Sequence, residues 1–267
     1  MFAILGIGLG VFIVFLANHL EGDPIVALLK TDAALIVFGG TFAALMIHAG
    51  FRDLLSAIRC LAWVVRPPKT DAPAFIDEVA GWARTARAKS ILALEADADT
   101  NSDHFTKVGL RALVDGRSYE DIRETLILVS DAEERQNSVA GEVWEAAGGY
   151  SPTIGVLGAV LGLIHVMVNM SHPDLLGIGI ATAFVATVYG VGGADLIFLP
   201  LGARMRSIAR HRMMYRELVM EGLLMLKKEA SPMLIKDRLE TLLESRLQAR
   251  KEMGEARAEE PQPMEAD

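Results

Sequence analysis

The chain has 267 residues, 52% hydrophobic and 22% charged, with a mean hydropathy of +0.33 and a formal net charge of −8. Such a composition describes a protein part membrane and part soluble, and the acidic balance without a basic footprint argues against a nucleic-acid partner. The lone Cys60 cannot form an internal disulfide and reads as a small apolar residue.

Four segments are long and apolar enough to cross a bilayer as helices, which takes about 20 residues. The first three, about Phe2–Leu20, Ala33–Gly50 and Pro152–Met170, contain no Asp, Glu, Lys or Arg. No Lys or Arg precedes the apolar run of the first, and no clear cleavage site follows it, so it is expected to be retained. After the second span comes Phe51–Val65, with Leu54, Leu55, Ile58, Leu61, Ala62 and Val65 at helical spacing and an end at Pro67-Pro68. Further helices are expected over Asp71–Leu94, Asn101–Asp115 and Ser118–Trp144, the last able to continue into a membrane helix. Gly148-Gly149 predicts a break before the third span.

The fourth span, within Gly177–Arg206, holds Thr187 and Asp195 and has Pro200 near its far end. Beyond it, Tyr215–Lys228 and Met233–Leu247 read as helices, the second opened by Ser231-Pro232. From about Lys251 the chain turns polar and is expected to be disordered. Basic residues fix the expected orientation: Arg52, Arg59, Arg66 and Lys69 follow the second span, and Arg204, Arg206, Arg210, Arg212 and Arg216 follow the fourth. The loops Glu21–Asp32 and Ser171–Leu176 are not basic. Both termini and the long middle segment should therefore face the cytoplasm.

The expected fold is all-α. Residues 1–50 form transmembrane helices 1 and 2, 51–150 a cytoplasmic helical domain and 151–201 helices 3 and 4, followed by C-terminal cytoplasmic helices over 202–250 and a tail over 251–267.

Taken alone, the chemistry-bearing residues have plain readings. Gly155, Gly158 and Gly162 permit close helix approach in the third span, and Pro152 and Pro200 read as span boundaries or kinks. Thr187 can bond a carbonyl one turn back. His165 and Asp195 are ionisable groups inside apolar spans, where such groups usually face the bundle interior; Asp195 could pair with Arg204. Arg87 and Glu95, in RTARAKSILALEAD, read as surface charges. Gly6, Gly8 and Gly10 lack the strand–helix context of a dinucleotide site, and no phosphate loop, metal cluster or nucleophile–base set accompanies them. An enzyme and a cofactor are therefore not expected.

Several stretches together resemble the MotA family, the four-span stator subunits of the bacterial flagellar motor, and especially its MotC-like branch. They are ANHLEGDP with ALIVFGGTFAAL, FTKVGLRALVDG, SPTIGVLGAVLGLIHVM, AFVATVYG…LIFLP and GLLMLKKEASPMLIKDRLETLL. The chain departs from many members at Gly192-Gly193-Ala194-Asp195.

The resemblance implies an inner-membrane motor subunit rather than an enzyme. It implies a homo-oligomeric ring, five copies around a dimeric MotB-like peptidoglycan-binding partner that carries the proton-accepting aspartate, in contact with membrane lipid and acting on the rotor protein FliG. It also implies that Thr187 is the ion-path threonine, with Ala159 and His165 along the same path. Sodium-driven relatives carry threonine where Ala159 stands, so protons are the expected ion. Pro152 and Pro200 become the functional prolines, and Arg87 with Glu95 the rotor-contacting pair, helped by Lys89 and Arg84. The rival reading is an ExbB- or TolQ-like channel subunit energising another envelope process; those relatives have three spans.

Overall fold

The computed structural model describes residues 2–20, 28–68 and 70–259. Among these residues the chain is helical throughout, without a strand. It divides into two compact units, one of residues 1–68 and 135–209 and the other of 69–134 and 210–267.

In the first unit, α1 (Phe2–Leu20) is a 19-residue helix, about 28 Å long at the helical rise. Among the described residues three helices are long and apolar enough to cross a membrane: α2 (Thr31–Val65), α6 (Tyr119–Val168) and the run Leu176–Lys227; α1, expected as a fourth span, is not one of them. That last run comprises α7 (Pro173–Gly193), a π turn (Ala194–Phe198) and α8 (Leu199–Lys227). A second π turn, Leu35–Gly39, lies within α2. Each π turn adjoins a glycine pair, Gly39-Gly40 or Gly192-Gly193, where missing Cβ atoms relax the steric preference for the α pitch. Ala33 and Val37 of α2 pack on Val185 and Ala186 of α7.

At Gly50 (φ +72°, ψ 164°) α2 breaks and then resumes to Val65. Its second half packs Leu54, Ala57, Cys60 and Val64 against Ala140, Val143 and Ala147 of α6 and Leu201 and Met205 of α8. The Trp144 indole N–H donates to the Ala57 carbonyl at 3.3 Å. The helix stops one residue before Arg66, held extended by Pro67. Cys60 is buried and forms no disulfide, in keeping with a small apolar residue.

The second unit is built from α3 (Ala72–Ala88), a 3-10 turn (Ile91–Leu94), α4 (Glu95–Thr100), α5 (His104–Val114), the start of α6, most of α8 and α9 (Pro232–Glu259). Its core contains Val79, Leu94, Phe105, Leu110, Leu113, Leu126, Leu223 and Leu239. Asp71 caps α3 by accepting from Ala74 N at 3.2 Å, and Ser231 caps α9 by accepting from Leu234 N at 3.2 Å.

Several boundaries differ from the sequence reading. The break at Gly148-Gly149 is absent because α6 runs unbroken for 50 residues. A Cβ at Gly148 would meet Leu199 Cδ2 at 2.4 Å, so this glycine serves close packing. Two glycines cost a packed helix only about 1 kcal/mol each relative to alanine. Pro152 consequently lies inside a helix rather than at its end. The expected helix at Tyr215 is a continuation of α8, since no breaker intervenes. The stretch Asp71–Leu94 is interrupted at Ser90, whose φ is +153°. Helix α9 continues to Glu259 through a run rich in strong helix formers; residues 260–267 lie outside the described residues.

Candidate functional site

In the first unit, the site is a seam of small residues between α6 and α7. A Cβ added at Gly155 would lie 3.0 Å from the Ala186 carbonyl oxygen and from Gly190 Cα. At Gly162 it would lie 2.9 Å from Ala183 N, and at Gly158 2.9 Å from Ala186 Cβ. From the other side, a Cβ on Gly190 would meet the Ser151 carbonyl oxygen at 2.8 Å, and one on Gly179 would meet Val166 Cγ2 at 2.6 Å. The helices are thus antiparallel, with Gly155, Gly158 and Gly162 fitted to Gly190, Ala186 and Ala183. Such backbone contact is the packing that small residues allow in lipid.

In antiparallel helices, residues one step past a seam pair project to the same side. Ala159 follows Gly158 and Thr187 follows Ala186, so both flank one edge of the seam at one depth, and both are half-buried. The Thr187 hydroxyl donates to the Ala183 carbonyl at 3.4 Å, leaving its oxygen free to accept. Ala159 offers no oxygen. His165 is not brought to them: it lies six residues along α6 from Ala159, about 9 Å of helical rise. It is exposed, with its Nε2 3.3 Å from Asn169 Nδ2.

The neighbours of the two prolines are in contact. Leu199, which precedes Pro200, sits on Gly148, one turn before Pro152. Pro152 has no N–H, so the Gly148 carbonyl lacks its helical donor. Ser151 is fully buried; its hydroxyl has no hydrogen-bond partner and faces the position where a Gly193 Cβ would be, at 3.4 Å. Phe38 and Phe198, one from each π turn, close the same place with ring centroids 6.5 Å apart. Asp195, in the second π turn, is exposed and makes no ion pair with Arg204 among the described residues; nearby, Arg206 pairs with Glu145.

In the second unit, Arg87 lies in the last turn of α3 and Glu95 opens α4. Both are exposed, and they are not paired with each other among the described residues. Arg87 Nη2 donates to the Glu229 carbonyl at 3.0 Å, which orients the guanidinium at the surface. Between the pair, Leu92 is 65% exposed. Arg87, Ser90, Ile91, Leu113, Leu226 and Glu229 line a cavity of about 510 Å³. Two of these residues hold positive φ without being glycine, Ser90 at +153° and Glu229 at +54°. Glu229 is the left-handed residue that closes α8, where the Ala230 N–H donates back to the Met225 carbonyl at 3.1 Å. Lys89 and Arg84 are exposed on the same segment.

Elsewhere in the same unit, Arg216 is 5% exposed and donates to Asp103 Oδ2 at 2.6 Å and Glu133 Oε2 at 2.8 Å, with its guanidinium 4.8 Å from the Phe105 ring centre. Burial alone would raise the Asp103 carboxyl, but hydrogen bonds from Arg216 and Thr106 hold it below the usual carboxylate range. The cluster ties α5, α6 and α8 together and explains FTKVGLRALVDG: Phe105 and Thr106 serve the cluster, and Gly109 lets Leu223 approach. Arg216 was legible only as one of a basic run. Ser151 and the α7 residues Gly179, Ala183, Ala186 and Gly190 were not singled out, although their three- and four-residue spacing matches the glycines of α6.

Residues 97–218 match the MotA/TolQ/ExbB proton channel family. Motility protein A of Bacillus subtilis is 31% identical, covering 97% of this chain and 98% of its own length. That of Helicobacter pylori is 30% identical over 88% of this chain and 92% of its own. Among solved structures, the flagellar MotAB stator complex of Bacillus subtilis has a matching chain with TM-score 0.83, 30% identity and coverage of 93% of this chain and 99% of that one. The C. jejuni MotAB structure matches with TM-score 0.83 and 27% identity, covering 90% and 94%. A shared all-helical fold and 31% identity along nearly the whole of both chains are sufficient: the chain belongs to the motility protein A group of the MotA/TolQ/ExbB proton channel family.

Proposed function

We propose that the chain is the ring subunit of a flagellar stator in the bacterial inner membrane, with both termini cytoplasmic. Five copies surround a dimer of a MotB-like, peptidoglycan-binding partner, and proton flow past the ring becomes torque on a FliG-like rotor protein. The observation that carries this reading is the full-length similarity to chains of MotAB stator complexes. One charge crossing 100 mV releases about 2.3 kcal/mol, enough to drive a conformational step. The work is coupled motion rather than catalysis, and no cofactor is required.

In this reading Thr187 offers the hydroxyl beside the ion path, and Ala159, at the same depth, withholds the second oxygen that a partly dehydrated sodium ion would need. Protons are therefore the ion. Pro152 and Pro200 form the hinge, a reading supported by the packing of Leu199, which precedes Pro200, on Gly148, one turn before Pro152. Arg87 and Glu95 contact oppositely charged residues of the rotor, where exposed charges act on steering and register more than on stability. His165 serves the outer end of the path.

Co-expression with a one-span, peptidoglycan-binding partner in stator-less cells tests the whole reading. Restored swimming, lost in Thr187→Val and retained in the surface variant Glu244→Gln, is the expected result. Co-assembly without swimming would contradict it.

A further inference from the structure

The half of α2 that follows the break at Gly50 carries three separate faces. At about 100° per residue, Leu54, Ala57, Cys60 and Val64 occupy about 180–300° from Phe51, and this is the face packed on α6 and α8. Phe51, Leu55, Ile58, Ala62 and Val65 fall within about 40° of Phe51 on either side, a second apolar stripe. That stripe is uncovered: Phe51 is 68% and Val65 60% exposed, and Leu55, Ile58 and Ala62 are exposed as well. Arg52, Arg59 and Arg66 recur every seven residues at about 60–100°, directly beside it. All three are exposed and none joins an ion pair among the described residues, while Asp53 lies away from them, at about 200°.

An apolar stripe bordered by a row of arginines, on a segment that starts where a membrane span ends, has the build of a helix lying in the bilayer interface. Water would leave four large side chains unburied, whereas a bilayer surface offers acyl chains to the stripe and headgroup phosphates to the arginine row beside it. Guanidinium groups bind phosphate in paired hydrogen bonds. We propose that Phe51–Val65 lies on the cytoplasmic membrane surface, its Phe51/Leu55/Ile58/Ala62/Val65 stripe among the acyl chains, and that Arg52, Arg59 and Arg66 form a binding row for anionic phospholipid headgroups. The inference rests on the membrane reading above. Its consequence is that anionic lipid holds the cytoplasmic end of the second span, and the α6–α8 base packed on it, at fixed depth.

The test uses the full chain assembled with its partner in nanodiscs containing phosphatidylglycerol. In a Cys60→Ala background, a spin label at Ile58→Cys is probed for contact with oxygen, which concentrates in lipid, and with a water-soluble nickel chelate. Access to oxygen and exclusion of nickel is the expected result. Access to nickel would place the stripe in water, and exclusion of both reagents would place it against a second copy; either overturns the inference. A label at Ile47→Cys, on the second span, keeps the membrane reading separate: nickel access there would remove that reading itself. Replacing the arginines with glutamine is expected to weaken the apparent affinity for phosphatidylglycerol about fivefold per residue relative to phosphatidylcholine. Unchanged affinity in the triple variant would overturn the headgroup row.

Discussion

Arg87 is exposed, and one terminal guanidinium nitrogen donates to the Glu229 carbonyl while no carboxylate pairs with it among the described residues, the arrangement of a charge oriented at the surface rather than of one holding the fold. Arg87→Glu is therefore expected to abolish or sharply reduce torque while leaving membrane assembly and thermal stability unchanged; loss of assembled complex on a native gel would make the residue structural. Asp103 is the opposite case. Its carboxyl is lowered in the folded chain, so its contribution to stability is complete above the unfolded carboxylate range and is lost as pH falls through the lower, folded value. Hydrogen exchange in α5 should accelerate on acidification below pH about 4, and Asp103→Asn should be destabilised at neutral pH with that acid step flattened. Residue roles were unevenly legible. Arg87 and Glu95 look like any solvated helix charges, and only family resemblance distinguishes them. Arg216 lies in a basic run whose charge reports orientation, so its burial among acids from two other helices had no local signature.

At the scale of elements, glycine does two different things here. Gly155 and Gly162 face backbone at 3.0 Å and 2.9 Å, whereas a Cβ at Gly192 would meet nothing within 4 Å. Gly155→Val and Gly162→Val are expected to separate α6 from α7, exceeding the usual overpacking cost of about 1–3 kcal/mol because backbone cannot rotate away. Gly192→Ala should be tolerated; melting curves of the purified complex would distinguish them. Gly109→Ala, which would meet a movable Leu223 side chain at 2.4 Å, should cost about 1–3 kcal/mol in the cytoplasmic unit. The helices were legible from periodicity and hydropathy, but their joints were not. Gly148-Gly149 has the composition of a break, and only the Leu199 side chain resting on Gly148 reveals a contact. The π turns were hidden too, because a single widened turn leaves the hydrophobic pattern almost unchanged.

For the whole molecule, Pro152, the orphaned Ser151 hydroxyl next to it and the second π turn share one place in the membrane unit. A buried hydroxyl without a partner costs about 1–3 kcal/mol, so Ser151→Ala should not destabilise the chain, which melting curves of the purified complex would check. The fold class and membrane character followed from composition because lipid permits few solutions. The way that α6 and α8 each serve two compact units did not, since a continuous helix has no sequence mark where one unit ends. The central claim, that protons drive motion through this chain, is tested most directly by rotation of tethered stator-less cells that express it with its partner, at fixed proton-motive force, with and without sodium. The account predicts equal speed in both. Rotation that stops when sodium is removed would contradict it.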